Sequence, residues 1–299
     1  PQEEPADWGV LPVWGFGDVI DSSHGSIEKG ERLFGYFPPA NHLVMKPVDI
    51  GEQHFFEGAA HRAQLPKGYN LYRRVSHEPS YDKSSDNSRM LLYPLYITSF
   101  ALWDQLKENN WYGAEQIVLI SASSKTSIGL AYALNADDTA PDCIGLTSAR
   151  NLDFVKATNI YSVVIGYEAA HTLDDRPTVI VDMSGNAELL GALHQQLGTN
   201  MLRTLSVGLT HWESERRSKE VLKDRTEFFF APARIQKRMK DWGAAEFNQR
   251  SADFVGETAS KSASWLKLET LDGLEGLQSV FADVRDGKID PQRGLIIQM

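Results

Sequence analysis

Cysteine is nearly missing from this chain: Cys143 is the only one in 299 residues. No disulfide can form within the chain, and no cysteine-based structural zinc site can be assembled from it, so a reducing, cytoplasmic setting is expected. No apolar run approaches the roughly 20 residues that cross a bilayer. The acidic start Pro1-Gln-Glu-Glu-Pro-Ala-Asp7 carries no signal-peptide pattern. The chain begins at Pro1 rather than Met, and residues preceding it are expected. An excess of positive charge is also lacking. Lys and Arg number 30 against 40 Asp and Glu, a formal charge of −10, which argues against a general nucleic-acid or anionic-membrane binder. The eight histidines are scattered without metal-ligand spacing, and no metal is expected. There is no G-x-S-x-G, which disfavours a hydrolase.

Glycine is scarce where it would be most telling. In Gln116-Ile-Val-Leu-Ile-Ser-Ala-Ser-Ser-Lys-Thr-Ser-Ile-Gly-Leu-Ala131 a short apolar run, Ile117 to Ile120, ends in a turn of small polar residues. It then feeds an apolar-periodic stretch through Ile128, Leu130, Ala131, Ala133 and Leu134. The order is strand, tight turn, helix, and a helix that starts this way directs backbone N–H groups and its positive dipole end at a phosphate. Of the dinucleotide fingerprint glycines only Gly129 remains, and a strand–helix turn that binds nothing has the same outline. A second apolar strand follows, Cys143-Ile-Gly-Leu-Thr-Ser-Ala-Arg-Asn151. Where a dinucleotide-binding unit places an acid on the ribose 2′-hydroxyl, this chain has Thr147, Ser148, Arg150 and Asn151. A hydroxyl and a guanidinium match a 2′-phosphate, so Ser148 and Arg150 point to NADP(H) over NAD(H). The alternative for Arg150 is a solvent-facing residue of the next helix.

Along the chain, residues 9–50 read as short strands and turns: Val13–Ile20, a turn and strand over Ile27–Phe37, and a strand over Asn41–Pro47. Residues 51–90 are polar and irregular, as in a lid, an interface arm or a mobile segment. From Leu92 the spacing of Tyr96, Ser99, Phe100, Trp103 and Leu106 predicts a helix. Strands near 117–121, 143–147, 162–165, 178–182 and 203–207 then alternate with helices near 126–135, 151–157 and 186–197. That alternation predicts a parallel sheet with right-handed crossovers. Residues 232–258 are mostly helical and interrupted at Trp242-Gly243. Trp265-Leu-Lys-Leu268, a helix over about 273–285 and a strand over Arg293–Gln298 close the chain.

This order resembles the medium-chain dehydrogenase/reductase superfamily. Ile27-Glu-Lys-Gly-Glu-Arg-Leu-Phe-Gly35 is similar to its x-x-G-D-R-V-F-G strand. Tyr93–Leu102 resembles the helix leading into the cofactor domain. Val181-Asp-Met-Ser-Gly-Asn186 is similar to V-x-D-x-x-G, and Leu205-Ser-Val-Gly208 to the strand facing the nicotinamide. The likeness covers roughly residues 13–299 without much of 51–90. It is nearest the zinc-independent quinone and enoyl reductases, and within them a bacterial branch classed as a domain of unknown function. It implies an α/β chain: a GroES-like β-rich catalytic domain, shortened at its N-terminus, from 1–92 with 259–299, and a Rossmann-type NADP-binding domain over 93–258.

The resemblance also implies roles. Ser121, Ser123, Ser124, Lys125 and Thr126 surround the pyrophosphate, Lys125 supplying a charge that a glycine turn lacks. Tyr161 lies at the adenine or the 2′-phosphate, and Ser184, Gly185, Val207 and Gly208 line the ribose and nicotinamide end. Tyr36, Tyr96 and Thr98 are candidate proton donors, with His42 and His211 behind them; for each tyrosine a buried core position is the alternative reading. The implied reaction is metal-free hydride transfer to or from a small carbonyl, enone or quinone. A reductase-like scaffold without redox turnover and a lyase or isomerase with a tightly held dinucleotide stay open. A homodimer paired through sheet edges is implied, with Met201–Thr210 and Phe228–Phe230 as apolar β material.

Overall fold

The computed structural model describes residues 11–78, 81–208 and 221–299. In chain order the elements are β1 (Val13–Asp18), β2 (Arg32–Phe37), β3 (Pro47–Val48), β4 (His54–Glu57), α1 (Lys67–Asn70), β5 (Leu71–Arg74) and α2 (Asp86–Glu108). Then come β6 (Gln116–Ile120), α3 (Lys125–Asn135), β7 (Asp142–Thr147), α4 (Leu152–Thr158), β8 (Val163–Gly166), β9 (Thr178–Asp182), α5 (Ala187–Leu197) and β10 (Met201–Val207). The last are β11 (Thr226–Phe229), α6 (Ala231–Trp242), α7 (Ala244–Ser262), β12 (Lys267–Asp272), α8 (Gly273–Arg285) and β13 (Arg293–Gln298). Two compact units result: unit 1 from Pro1–Pro94 with Leu266–Met299, and unit 2 from Leu95–Trp265.

Unit 1 carries a five-stranded antiparallel sheet of GroES-like type in the order β1-β2-β5-β4-β3, and a two-stranded parallel pair, β12-β13. Side chains alternate across the sheet. Leu33 and Phe37 of β2 join Ile27, Phe55 and Tyr72 in one apolar layer. The opposite face sets Trp14 against Tyr36 and Phe16 against Phe34 in register. Gly35 is required here, because a Cβ would stand 2.4 Å from the Tyr72 ring. Two expectations are corrected. Residues 41–46 form no strand; Leu43 and Val44 stay exposed and bury nothing, so their apolar pattern selects no sheet register. Residues 51–90 are not an irregular arm, since β4 and β5 lie inside the sheet. Their apolar signal is short and broken by charge: β5 ends on Arg74, whose buried guanidinium holds Glu31 (Nε–Oε1 2.5 Å) and donates to the carbonyls of Gly51 and Ser26.

Unit 2 is a six-stranded, fully parallel sheet in the order β11-β10-β9-β6-β7-β8. Buried on both faces, its central strands read as continuous apolar runs. Ile117, Leu119, Val179, Val181 and Leu205 face one layer with α2 and α3. Val118, Ile120, Ile144, Leu146 and Ile180 face the other with α5. The sixth strand, β11, was not expected as a separate element. It forms an edge, with Phe229 buried and Phe228 and Phe230 exposed. Helix α7 runs to Ser262, past the expected end at 258.

His194 of α5 ties this sheet to the chain that follows β10. Its Nδ1 accepts from the N–H of Leu222 (2.9 Å), so Nε2 donates to Thr204 Oγ1 (2.8 Å). Burial pushes the imidazole down to about 4, with Arg225 adding to the shift. The unfolded chain therefore binds the proton first as pH drops through about 6.5. Stability is fully present above that value, is lost progressively toward pH 4, and the total loss is at most about 3 kcal/mol. Thermal melting between pH 7 and 5 should show a decline that is absent in His194→Gln; equal slopes would refute it.

Candidate functional site

The strand order reverses direction between β6 and β9, and in open parallel sheets ligands bind beyond the carboxyl ends of strands at that switch point. Register fixes what stands there. Ile120 pairs with Leu146 on one side and with Asp182 on the other, and Asp182 pairs with Ser206. One step on, Ser121, Thr147, Met183 and Val207 form the lip.

The β6–α3 turn is built without the usual glycines. Ser121 takes a left-handed φ of 69°, a conformation that disfavours an L side chain. Tyr167 hydrogen-bonds Ser121, and burial raises the Tyr167 phenol above its ordinary range. Ala122 N–H donates to Leu146 O (2.9 Å), and Ser124 N–H closes the bend on Ser121 O (2.9 Å). Ser124 then caps α3, its Oγ accepting from Ser127 N–H (3.2 Å). The first turn of α3 thus presents N–H groups that have no carbonyl one turn back, at the positive end of the helix. Ser121, Ser124, Lys125 and Thr126 are half-buried, whereas Ala122 and Ser123 are buried. The bend keeps an open side.

Neighbouring elements hold this turn from three directions. Asn151 Nδ2 donates to Ser123 Oγ (2.9 Å). Ser99 Oγ donates to Thr126 O (2.8 Å). Ser127 Oγ donates to Met183 Sδ (3.0 Å), joining the turn to the end of β9. There Asp182, buried, accepts on Oδ1 from Ser184 N–H (2.8 Å), Ser184 Oγ (2.7 Å) and Gly185 N–H (3.3 Å), while Gly185 takes a φ of 67°. Gly208 ends β10 exposed, with a φ of 78°. Ser148 is half-buried just beyond β7, and Arg150 is exposed in the turn that opens α4. Ser184 and Val207 are half-buried. Unit 2 therefore gathers Ser121, Ser123, Ser124, Lys125, Thr126, Ser148, Arg150, Ser184, Gly185, Val207 and Gly208 at one end of its sheet.

Two expected site residues have their hydroxyls engaged by the protein itself. Tyr161 is half-buried, and its hydroxyl donates to Ala122 O (2.7 Å), which supports the turn. Gly145 makes room for it, since a Cβ there would lie 2.9 Å from the Tyr161 ring. Tyr96 is a core residue. Its ring is fully buried, its hydroxyl pairs with Ser262 Oγ (2.5 Å), and burial raises the phenol far above its usual range. A phenol so enclosed reaches no substrate. Thr98 is half-buried on α2. In unit 1, Tyr36 is half-buried at the end of β2 between the rings of Trp14 (5.4 Å) and Tyr69 (5.0 Å). Burial and the neighbouring Tyr69 raise its phenol, opposed by Arg62. His42 is exposed, and His211 lies outside the described residues.

The residues missed from sequence are Asn151 as a clamp, Asp182 as the organiser of Ser184 and Gly185, Met183, and Tyr167. The Asp182-x-Ser184 spacing of an Asx turn and the Ser124-x-x-Ser127 spacing of a capped helix were the available signals. One detail speaks to a ligand. Thr147 Oγ1, at the end of β7, is buried and has no hydrogen-bond partner among the described residues, a condition that buried hydroxyls seldom keep. Among the described residues no cluster of metal-binding side chains forms, and no helix is long and apolar enough to cross a membrane.

Comparison with known proteins gives the following. The model of the family described as "Protein of unknown function (DUF2855)" matches residues 1–290. No curated protein matches the sequence. Among solved structures, a mutant form of enoyl thioester reductase from Candida tropicalis superposes with a TM-score of 0.54 at 11% identity, covering 96% of this chain and 79% of that one. The yhdH oxidoreductase from Salmonella enterica in complex with NADP gives 0.51 at 12%, covering 95% and 80%. TarJ from S. aureus in complex with NADPH gives 0.50 at 11%, covering 95% and 80%. At such identities the likeness is one of fold alone.

Proposed function

This chain belongs to the DUF2855 family, and from that premise we propose an NADP(H)-dependent oxidoreductase of the medium-chain type, acting without metal on a small carbonyl, enone or quinone. The observation that carries the reading is the capped, half-open β6–α3 turn at the switch point of a parallel sheet. The bound NADP(H) of two structures sharing this fold supports the choice of cofactor.

In this reading the first turn of α3 binds the pyrophosphate, with Ser121, Ser123, Ser124 and Thr126 around it and Lys125 adding charge. Ser148 and Arg150 take the 2′-phosphate, and the buried Thr147 hydroxyl, without a partner among the described residues, points to a polar guest beside them. Ser184, Gly185, Val207 and Gly208 line the ribose and nicotinamide end. The nicotinamide supplies the hydride when bound. Thr98, a half-buried hydroxyl on α2 of unit 2, donates the proton to the carbonyl oxygen when hydride goes to the carbonyl carbon, or to the α carbon or oxygen when hydride goes to the β carbon of an enone.

Titration with NADPH followed by nicotinamide fluorescence tests the reading, and an absence of binding at millimolar cofactor would end it. A charge-assisted contact to phosphate contributes about 1.5–3 kcal/mol. Arg150→Ala is therefore expected to weaken NADPH by about 10- to 100-fold and NADH hardly at all. Equal losses for the two cofactors would remove Arg150 from the phosphate.

A further inference from the structure

Unit 2 contains a second concavity, away from the carboxyl ends of its strands. A groove of 520 Å³ opens between α2, the C-terminal end of α3, the turn at 137–139 and α7. That volume lies within the range of small-molecule sites, about 300–1,000 Å³. Its walls are aromatic. Phe100 packs against Trp103 (centroids 5.8 Å) and Phe254 (5.6 Å), and Tyr132 lines the α3 side.

The charges of the groove show which chemistry it accommodates. Lys107 Nζ sits 5.1 Å from the Trp103 ring centroid and 2.7 Å from Asp137 Oδ2. Lys261 Nζ sits 5.7 Å from the Tyr132 centroid and 2.7 Å from Glu257 Oε1. Twice, then, the groove places an ammonium group over an aromatic face with a carboxylate beside it, the pairing that stabilises organic cations. The lining holds these two lysines against four acids, Asp137, Asp138, Asp253 and Glu257. Asp137 is saturated by Trp103 Nε1, Lys107 and Thr139, and these bonds outweigh burial to hold its carboxyl down at about 2. Asp138 and Asp253 also line the groove, are exposed, and belong to neither of the two ion pairs. Asp253 accepts one bond, from Gln249 (2.8 Å) on Oδ1.

We propose that this groove binds a small organic cation, an amine or guanidine on an apolar or aromatic body, with the body on the half-buried Phe254 and the charge at Asp138 and Asp253. The site is independent of the cofactor turn, and its test does not require turnover.

Isothermal titration of the full chain with 4-phenylbutylamine, against its uncharged analogue 4-phenylbutanol, tests it. The amine should bind at least about tenfold more tightly than the alcohol. The double substitution Asp138→Asn/Asp253→Asn, at exposed positions that leave the melting temperature in place, should remove that preference. Lys261→Ala, which vacates one ammonium seat, should leave binding intact or strengthen it. Equal binding of amine and alcohol, no heat with millimolar amine, or an unchanged preference in the double variant would each overturn the assignment.

Discussion

Arg74→Ala should destabilise unit 1 by about 3–5 kcal/mol, the range for breaking a buried ion pair from one side. Glu31 and Arg74 are both buried, and both carboxylate oxygens of Glu31 are taken by the guanidinium, at 2.5 and 2.8 Å. Removing the arginine leaves the carboxylate with little beyond the N–H of Glu28 (3.4 Å). The carbonyls of Gly51 and Ser26 lose a donor as well. Replacing both charges by apolar residues, as in Glu31→Leu/Arg74→Met, should recover most of the loss, because the uncompensated charge is what costs most. Limited proteolysis with cleavage mapped by mass spectrometry, alongside urea unfolding, reads this out. Cuts within 13–78 should appear in the single variant at denaturant concentrations where the double variant resists. Parity between single and double variants would show that the pair does not organise the sheet.

Gly129→Val should have a comparable effect on unit 2 and should also reach the proposed cofactor turn. A Cβ at this position would lie 2.6 Å from Ser99 Oγ and 2.6 Å from the Tyr96 ring. Both neighbours are fully buried, so α3 must move off α2. Overpacking costs about 1–3 kcal/mol, and the Ser99–Thr126 hydrogen bond adds about 1 kcal/mol when lost. In a unit of this size each kcal/mol shifts melting by about 2–4 °C. A fall of about 4–16 °C is therefore expected in calorimetry. NADPH affinity should fall with it, since α3 carries the capped turn on its first residues, whereas Gly129→Ala should do both more weakly. Melting within about 2 °C of the parent chain would show that the helices have room to spare.

The order of strands and helices in unit 2, β11 apart, was legible because its central strands β6 and β9 are buried throughout and written largely as apolar runs. The helix over 273–285 was legible from its amphipathic spacing, and α8 spans those residues. Unit 1 was harder. β4 and β5 are four residues each, and their inward positions include Glu57 and Arg74, so composition there says loop while the hydrogen bonds say sheet. The first turns of α2 are polar, which hid its start at Asp86. At the candidate site the turn was visible, because strand, small residues and helix stand in sequence order. What could not be seen was direction. Tyr96 and Tyr161 lie near the expected cleft in sequence, and only tertiary packing shows their hydroxyls spent on Ser262 and Ala122. The clamp by Asn151 joins residues 28 positions apart, and no local pattern announces a pairing of that kind.

The two units are unequal in how the chain supplies them. Unit 2 is one uninterrupted stretch, while unit 1 is made from the beginning and the end, with β13 the last element of all. On a translating ribosome, at about 5–20 residues per second, every strand of the parallel sheet has been polymerised before the first residue of β12 is added. The nascent chain can thus bury its dinucleotide-type sheet while its opening β module still waits for β12 and β13. A polypeptide released early, after Trp265, still contains all six strands of that sheet and lacks only β12, α8 and β13 of the other unit.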